Sequence, residues 1–281
     1  MPRLRSLSLL ATFCLTLPAS AASATEHEAA SGGAGSARAA GAAVGVADGG
    51  AMVRLPAGSY RPLYGLAGDP PTRVAAFRLD RDPVTRGDFL EFVRRHPDWL
   101  RSAVRPLFAD RAAYLANWAG DLDVGAAADA RRPVTGVSWF AARAYCRARG
   151  KRLPTVAEWE YAAAADASSR DAAREPLFVQ HLVTLYSGRS RHAPEVATGA
   201  TNAYGVRGLH DLVWEWVDDF NSVLVSDDSR AVGGRDHSLF CASGAIGAAD
   251  PSNYPAFLRY AFRAGLTGAT AVSALGFRCA A

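Results

Sequence analysis

The stretch Gly150-Lys151-Arg152-Leu153-Pro154-Thr155-Val156-Ala157-Glu158-Trp159-Glu160-Tyr161-Ala162 decides the fold. Pro154 fixes the entry to a helix. Thr155 can accept from the backbone three residues on while Glu158 reaches back to the Thr155 amide, a capping box that satisfies two orphan N–H groups at once. Reading upstream, Ser138 caps a second helix with Tyr145 and Cys146 near its end and Gly150 as its stop. Arg147, Arg149, Lys151 and Arg152 then face the negative end of its dipole. Further upstream, Thr85 caps a helix that carries Phe89, Phe92 and Val93 on one face and closes before Pro97.

Between and beyond these helices the apolar pattern shortens. Met52 to Leu55, Val74 to Leu79, Val213 to Trp216 and Leu275 to Ala280 read as strands. Alternation places Leu212, Trp214 and Trp216 on one face and Asp211, Val213 and Glu215 on the other, with the tryptophan face expected in the core. Much of the remainder reads as coil held by buried aromatics.

The N-terminus has a different character. Arg3 and Arg5 precede an uncharged apolar run from Leu7 to Leu17, then Pro18 and the small residues Ala19 to Ala24. That is the layout of a secretory signal over residues 1–24, with cleavage expected after Ala21 or Ala24. The run is too short to span a bilayer, and no later segment approaches the roughly 20 apolar residues a spanning helix needs. Cys14 is followed by Leu-Thr-Leu-Pro, a poor lipobox. Residues 25–50 are mostly Ala, Gly, Ser and Glu, too poor in large apolar groups to offset chain entropy, and read as a flexible linker. Residues 51–281 are left as one folding unit. Of the formal charge of +4, Arg3 and Arg5 supply two. The rest is spread without basic blocks, which argues against a nucleic-acid partner.

Four further pieces occur in fixed order around the opening stretch. They are Met52-Val53-Arg54-Leu55-Pro56-Ala57-Gly58-Ser59-Tyr60, Pro133 to Trp139 leading into Ala144-Tyr145-Cys146, Asn202-Ala203-Tyr204-Gly205 through Val213-Trp214-Glu215-Trp216, and Gly276-Phe277-Arg278-Cys279. Together they resemble the formylglycine-generating-enzyme, or sulfatase-modifying-factor, family, and within it the periplasmic branch that accompanies copper nitrite reductases. The resemblance implies an α+β, irregular C-type-lectin-like fold with little regular secondary structure. In the oxidase members it implies two cysteine thiolates that hold copper(I) and a substrate cysteine that dioxygen converts to formylglycine. Soft thiolates select copper(I), and an exported protein works in an oxidising compartment.

Carried over residue by residue, the resemblance implies a disulfide between Cys146, in the Ala-Tyr-Cys position, and Cys279, in the Gly-Phe-Arg-Cys position. Cys241 then remains as the catalytic candidate. It follows Gly233-Gly234, in the region where the oxidases place their first copper cysteine. Counting back from Arg263, the second copper cysteine falls near Pro255 and is absent. A two-thiolate site of the family type is therefore not encoded. His237, four residues before Cys241, is a candidate second copper ligand or simply a structural neighbour. Family members also bind calcium just before the Trp-Glu-Trp strand; Leu212 replaces the expected asparagine, while Asp211 and Glu215, with Asp218 and Asp219 nearby, offer hard oxygen ligands. The alternative for Glu215 is a pair with Arg278. Arg259 and Arg263, interleaved with Tyr254, Phe257, Tyr260 and Phe262, read either as the lining of a peptide groove or as packed aromatics with snorkelling arginines.

The functional expectation is a periplasmic or secreted member of this family, an oxidase or maturation factor acting on a partner protein or peptide, with copper(I) and calcium as possible cofactors. A non-catalytic binding module and oxidation of a small molecule are the alternatives, and fold alone does not separate them.

Overall fold

The computed structural model describes residues 51–63, 70–188, 194–221 and 253–281. All belong to the compact unit that begins at Val46. The expected signal and the linker lie outside the described residues. The architecture is α+β with little regular sheet.

Strand β1 (Met52–Leu55) pairs antiparallel with β4 (Phe77–Asp80), placing Met52 opposite Asp80 and Leu55 opposite Phe77. Strand β2 (Gly58–Tyr60) pairs antiparallel with β3 (Thr72–Val74). The single run expected from Val74 to Leu79 is thus two strands, interrupted at Ala75-Ala76, that serve different partners. Helix α1 (Arg86–Arg95) starts at Thr85, whose side chain accepts from the Asp88 amide while Asp88 accepts from the Thr85 amide, a complete capping box. Helix α2 (Trp139–Ala148) is capped by Ser138 and stops at Gly150, whose φ of +66° is a left-handed conformation that glycine adopts at low cost. Helix α3 (Val156–Ala163) carries the expected Thr155–Glu158 box.

Two helices escaped the sequence reading. Helix α4 (Pro176–Ser187) has no side-chain cap, and Pro176 is its opening signal. Helix α5 (Tyr254–Ala264) is capped by Asn253, whose side chain accepts from the Ala256 amide.

Strand β5 (Trp214–Glu215) and strand β6 (Leu275–Gly276) form a short parallel pair. Here the expected alternation is corrected. Val213 and Glu215 are as buried as Leu212 and Trp216, whereas Trp214 is only partly buried. A parallel pair between packed layers has no solvent face, so period-two polarity carries no information there. Trp214 instead stacks on Phe262 of α5, with ring centroids 4.8 Å apart.

The chain end stitches these pieces together. Beyond β6, Ala280 forms isolated bridges with Leu79 and Arg152, and the Phe277 carbonyl accepts from the Val84 amide at 2.9 Å. Phe277 sits against Tyr145 and Phe89, with centroids 5.2 and 6.1 Å away. Gly276 approaches the backbone closely enough that a Cβ there would run into the Val134 carbonyl oxygen, which explains a glycine inside a buried strand. Cys146 of α2 and Cys279 are joined in a disulfide whose Cα atoms lie 5.6 Å apart. Among the described residues no helix is long and apolar enough to cross a membrane.

Candidate functional site

Each polar residue of the stretch from Gly150 to Ala162 has an assigned partner. The Lys151 ammonium meets Asp80 at 2.6 Å. Arg152 grips Glu158 through two bonds of 2.6 Å. The Trp159 indole N–H donates to Glu215 at 2.8 Å. Glu160 receives Arg259 and Arg263. Tyr161 packs over Gly58, where a Cβ would come within 2.5 Å of its hydroxyl. The sequence signature is therefore a set of anchors for distant segments.

Two buried ion clusters flank Trp159. In the first, Arg278 and Glu215 are fully enclosed: Arg278 Nη2 donates to Glu215 Oε1 at 2.7 Å and Nε to Oε2 at 2.8 Å. The remaining guanidinium N–H groups donate to the carbonyls of Asp80, Arg81 and Arg207 at 2.8–3.1 Å. Glu215 is thus the partner of Arg278. With Trp159 and Arg278 taking both its oxygens, it is a structural anion and does not fit the role of calcium ligand. Asp211 stands elsewhere, accepting from the Ala200 amide at 2.7 Å. Asp219 accepts from the Val156 amide at the start of α3, and Asp218 pairs with Arg143 at 3.5 Å. Among the described residues no three His, Cys, Asp or Glu side chains gather as a metal site.

The second cluster was not foreseen. Arg259 Nη2 donates to Glu160 Oε2 and Arg263 Nη1 to Oε1, both at 2.6 Å. The two guanidiniums also lie over the Trp159 ring, 5.6 and 5.0 Å from its centroid, within cation–π range. Arg259 Nη1 donates to the Tyr186 hydroxyl at 3.1 Å, and that hydroxyl is 2.8 Å from His210 Nδ1. His210 Nε2 lies 2.9 Å from the Ala163 carbonyl. Arg259 and Arg263 are therefore neither groove lining nor snorkelling residues alone; they enter the core because a carboxylate there receives them. The available signal was their i,i+4 spacing in an aromatic segment, matched by an acid inside the apolar run Trp159-Glu160-Tyr161.

Burial by itself would raise the Glu160 carboxyl, but the adjacent Arg259 and Arg263 guanidiniums overcome it and hold the group at about 2, below its ordinary 4.5. A depressed acid contributes stability above its unfolded pKa and loses it as pH falls toward the folded one. The contribution is present above about pH 4.5, fades toward pH 2, and is on the order of 3 kcal/mol. Urea midpoints of wild type and Glu160→Gln are accordingly expected to converge as pH falls from 6 to 2.5; parallel curves would contradict this assignment.

Beside this cluster lies a cavity of about 570 Å³. Its walls come from β2 (Gly58, Tyr60), α3 (Glu160, Tyr161), α4 (Phe178, Leu182) and α5 (Ala256, Arg259, Tyr260). The hydroxyls of Tyr60 and Tyr260 are hydrogen-bonded to each other, and burial raises both above the usual tyrosine range. Asn253, which caps α5, also lines the cavity.

The copper expectation can be tested at α5. Pro255, near which the second copper cysteine falls, is buried in the first turn of the helix, where its missing N–H costs nothing, and its side chain offers no donor atom to a metal. Cys146 and Cys279 are committed to each other. Cys241 and His237 lie outside the described residues. The residues present do not fit a two-thiolate copper site.

The sulfatase-modifying factor enzyme 1-like domain model matches residues 40–281; the chain belongs to the sulfatase-modifying-factor, or formylglycine-generating-enzyme, family. The inactive C-alpha-formylglycine-generating enzyme 2 of Bos taurus is 30% identical over 274 residues, covering 82% of this chain and 87% of that protein. The formylglycine-generating enzyme of Streptomyces coelicolor is 31% identical over 287 residues, covering 82% and 88%. Among solved structures, PvdO from Pseudomonas aeruginosa aligns with a TM-score of 0.45 at 20% identity, covering 83% of this chain and 95% of that one. Relatives named as inactive and relatives named as enzymes match at the same level, so activity has to be argued from residues.

Proposed function

We propose that this protein is an exported maturation factor that holds a segment of a partner polypeptide in the cavity between β2, α3, α4 and α5, without the copper oxidase chemistry of the formylglycine-generating enzymes. The observation that carries the reading is Pro255: the family motifs stand on both sides of it in the sequence, yet the helix turn near which the second copper cysteine falls has no thiolate. Relatives that are formylglycine-generating enzymes make a polypeptide partner the natural class, and the cavity volume lies within the roughly 300–1,000 Å³ of small-ligand sites. Export is supported by the leader-like residues 1–24 and by a disulfide, which persists in an oxidising compartment. A second reading keeps one-thiolate metal chemistry at Cys241 with His237; its support is the position of Cys241 after Gly233-Gly234.

Incubation of the purified protein with cysteine-containing peptides under dioxygen separates the two. The maturation-factor reading expects peptides to be retained with their cysteines chemically unchanged. Conversion of the cysteine to an aldehyde, abolished by Cys241→Ser, would establish the second reading and overturn the first.

A further inference from the structure

Four arginines are buried among the described residues: Arg86, Arg259, Arg263 and Arg278. Three of them meet a buried carboxylate at 2.6–2.7 Å, Arg259 and Arg263 that of Glu160 and Arg278 that of Glu215. Arg86 is the exception. It is only 9% exposed, no carboxylate among the described residues pairs with it, and its Nε is buried without an acceptor. The hydrogen bond it does make, from Nη1 to the Val124 carbonyl, is long at 3.5 Å. Burial accordingly lowers the guanidinium from its ordinary value, and the two charged groups that bear on it, Asp129 and Arg132, oppose each other. Asp129 is itself engaged, 2.8 Å from Arg132 Nε and accepting from the Ala126 amide at 3.2 Å. Arg86 also holds the first position of α1, where the positive end of the helix dipole disfavours a cation and favours an anion.

A second orphan stands beside it. The Ala119 and Gly120 amides both donate to the Asp123 carbonyl, closing a turn that brings Trp118 back beside Val124. Trp118 is 3% exposed and packs edge-on against Phe89, one turn along α1 from Arg86, with centroids 6.3 Å apart. Its indole N–H has no acceptor. Guanidinium and indole are donors only, so what completes them accepts without donating; a water molecule would have to place two protons of its own.

We infer that Arg86 binds a compact inorganic anion of chloride size at the junction of α1 and the turn 118–124, with the Trp118 indole as second donor. The ion supplies the counter-charge that Glu160 and Glu215 supply to the other buried arginines, and it ties the start of α1 to the turn. The slight exposure of Arg86 is an opening for a single ion rather than for a side chain.

The test is thermal unfolding of the full-length protein at constant ionic strength, starting in sodium gluconate, whose anion is too bulky for the site, and replacing gluconate stepwise by chloride. The wild-type midpoint is expected to rise saturably, by about 3–6 °C once chloride stands at about ten times its dissociation constant. Arg86→Met should show no rise. Trp118→Phe, which keeps an aromatic ring and removes the N–H, should need about tenfold more chloride for the same rise, and it reads the site without touching Arg86. Equal rises in wild type and in Arg86→Met would mark a general salt effect and overturn the site. No rise in the wild type would show that water satisfies both donors, and would overturn it as well. A rise with formate but not with chloride would reassign the donors to a carboxylate and overturn the inorganic ion.

Discussion

Arg278→Met is expected to cost about 3–5 kcal/mol, because it strands the Glu215 carboxylate in the core. Both side chains are wholly excluded from solvent, and after the substitution Glu215 would keep only the Trp159 indole, at 2.8 Å. The carbonyls of Asp80, Arg81 and Arg207 would lose their donor at the same time. These three carbonyls, Glu215 and Arg278 itself join the β4 turn, the segment before β5 and the chain end, so the damage is not local. Arg278→Lys should behave almost as badly, since a single ammonium cannot reproduce a planar fork that serves a carboxylate and three carbonyls. The double variant Arg278→Met/Glu215→Leu should be less destabilised than the two single losses summed, because it leaves no unpaired charge. Urea unfolding at pH 7 checks this; an Arg278→Met midpoint indistinguishable from wild type would remove the ion pair from the account of the fold.

The second large effect belongs to the disulfide. Cys146 and Cys279 are separated by 133 residues in sequence, and both are fully buried. The chain-entropy relation gives about 5 kcal/mol for a loop of that length, with about 2–5 kcal/mol typical of native bridges removed from small secreted domains. The bond pins the chain end to α2, beside the Tyr145–Phe277 contact. Cys146→Ser/Cys279→Ser is therefore expected to lower the unfolding midpoint by a margin comparable to Arg278→Met, and reduction of the wild type should reproduce the shift. Peptide mapping without reductant should recover residues 146 and 279 on one linked pair; recovery of both as alkylated thiols would refute the bridge.

The parts of this fold that were legible in the sequence are those whose chemistry is local. Thr85, Ser138 and Thr155 each announce a helix because the side chain and the amide it caps lie three residues apart. Gly150 announces a stop because one backbone conformation is required there. Helix α5 was illegible for the opposite reason. Arg259 and Arg263 interrupt its apolar stripe, and the carboxylate that makes them buriable lies 99 and 103 residues away. The Trp214–Trp216 alternation misled because residues on both faces of β5 are buried, Val213 and Glu215 as fully as Leu212 and Trp216, a tertiary fact that period two does not encode. At the site, the absence of a second copper cysteine could be read directly from Pro255, and the choice for Glu215 between calcium and Arg278 was settled only by packing. The cavity could not have been read at all, since its walls come from segments spread between Pro56 and Tyr260.

Whether this family scaffold lacks the two-thiolate copper centre is decided by copper(I) titration of the purified protein against a chromophoric chelator in ascorbate, which keeps the metal as copper(I) and leaves the Cys146–Cys279 bridge intact. The chelator is expected to strip the protein of copper, and Cys241→Ser to give the same curve as wild type. Retention of one copper(I) per chain, lost on replacing Cys241 and showing sulfur-only ligation by X-ray absorption, would contradict it.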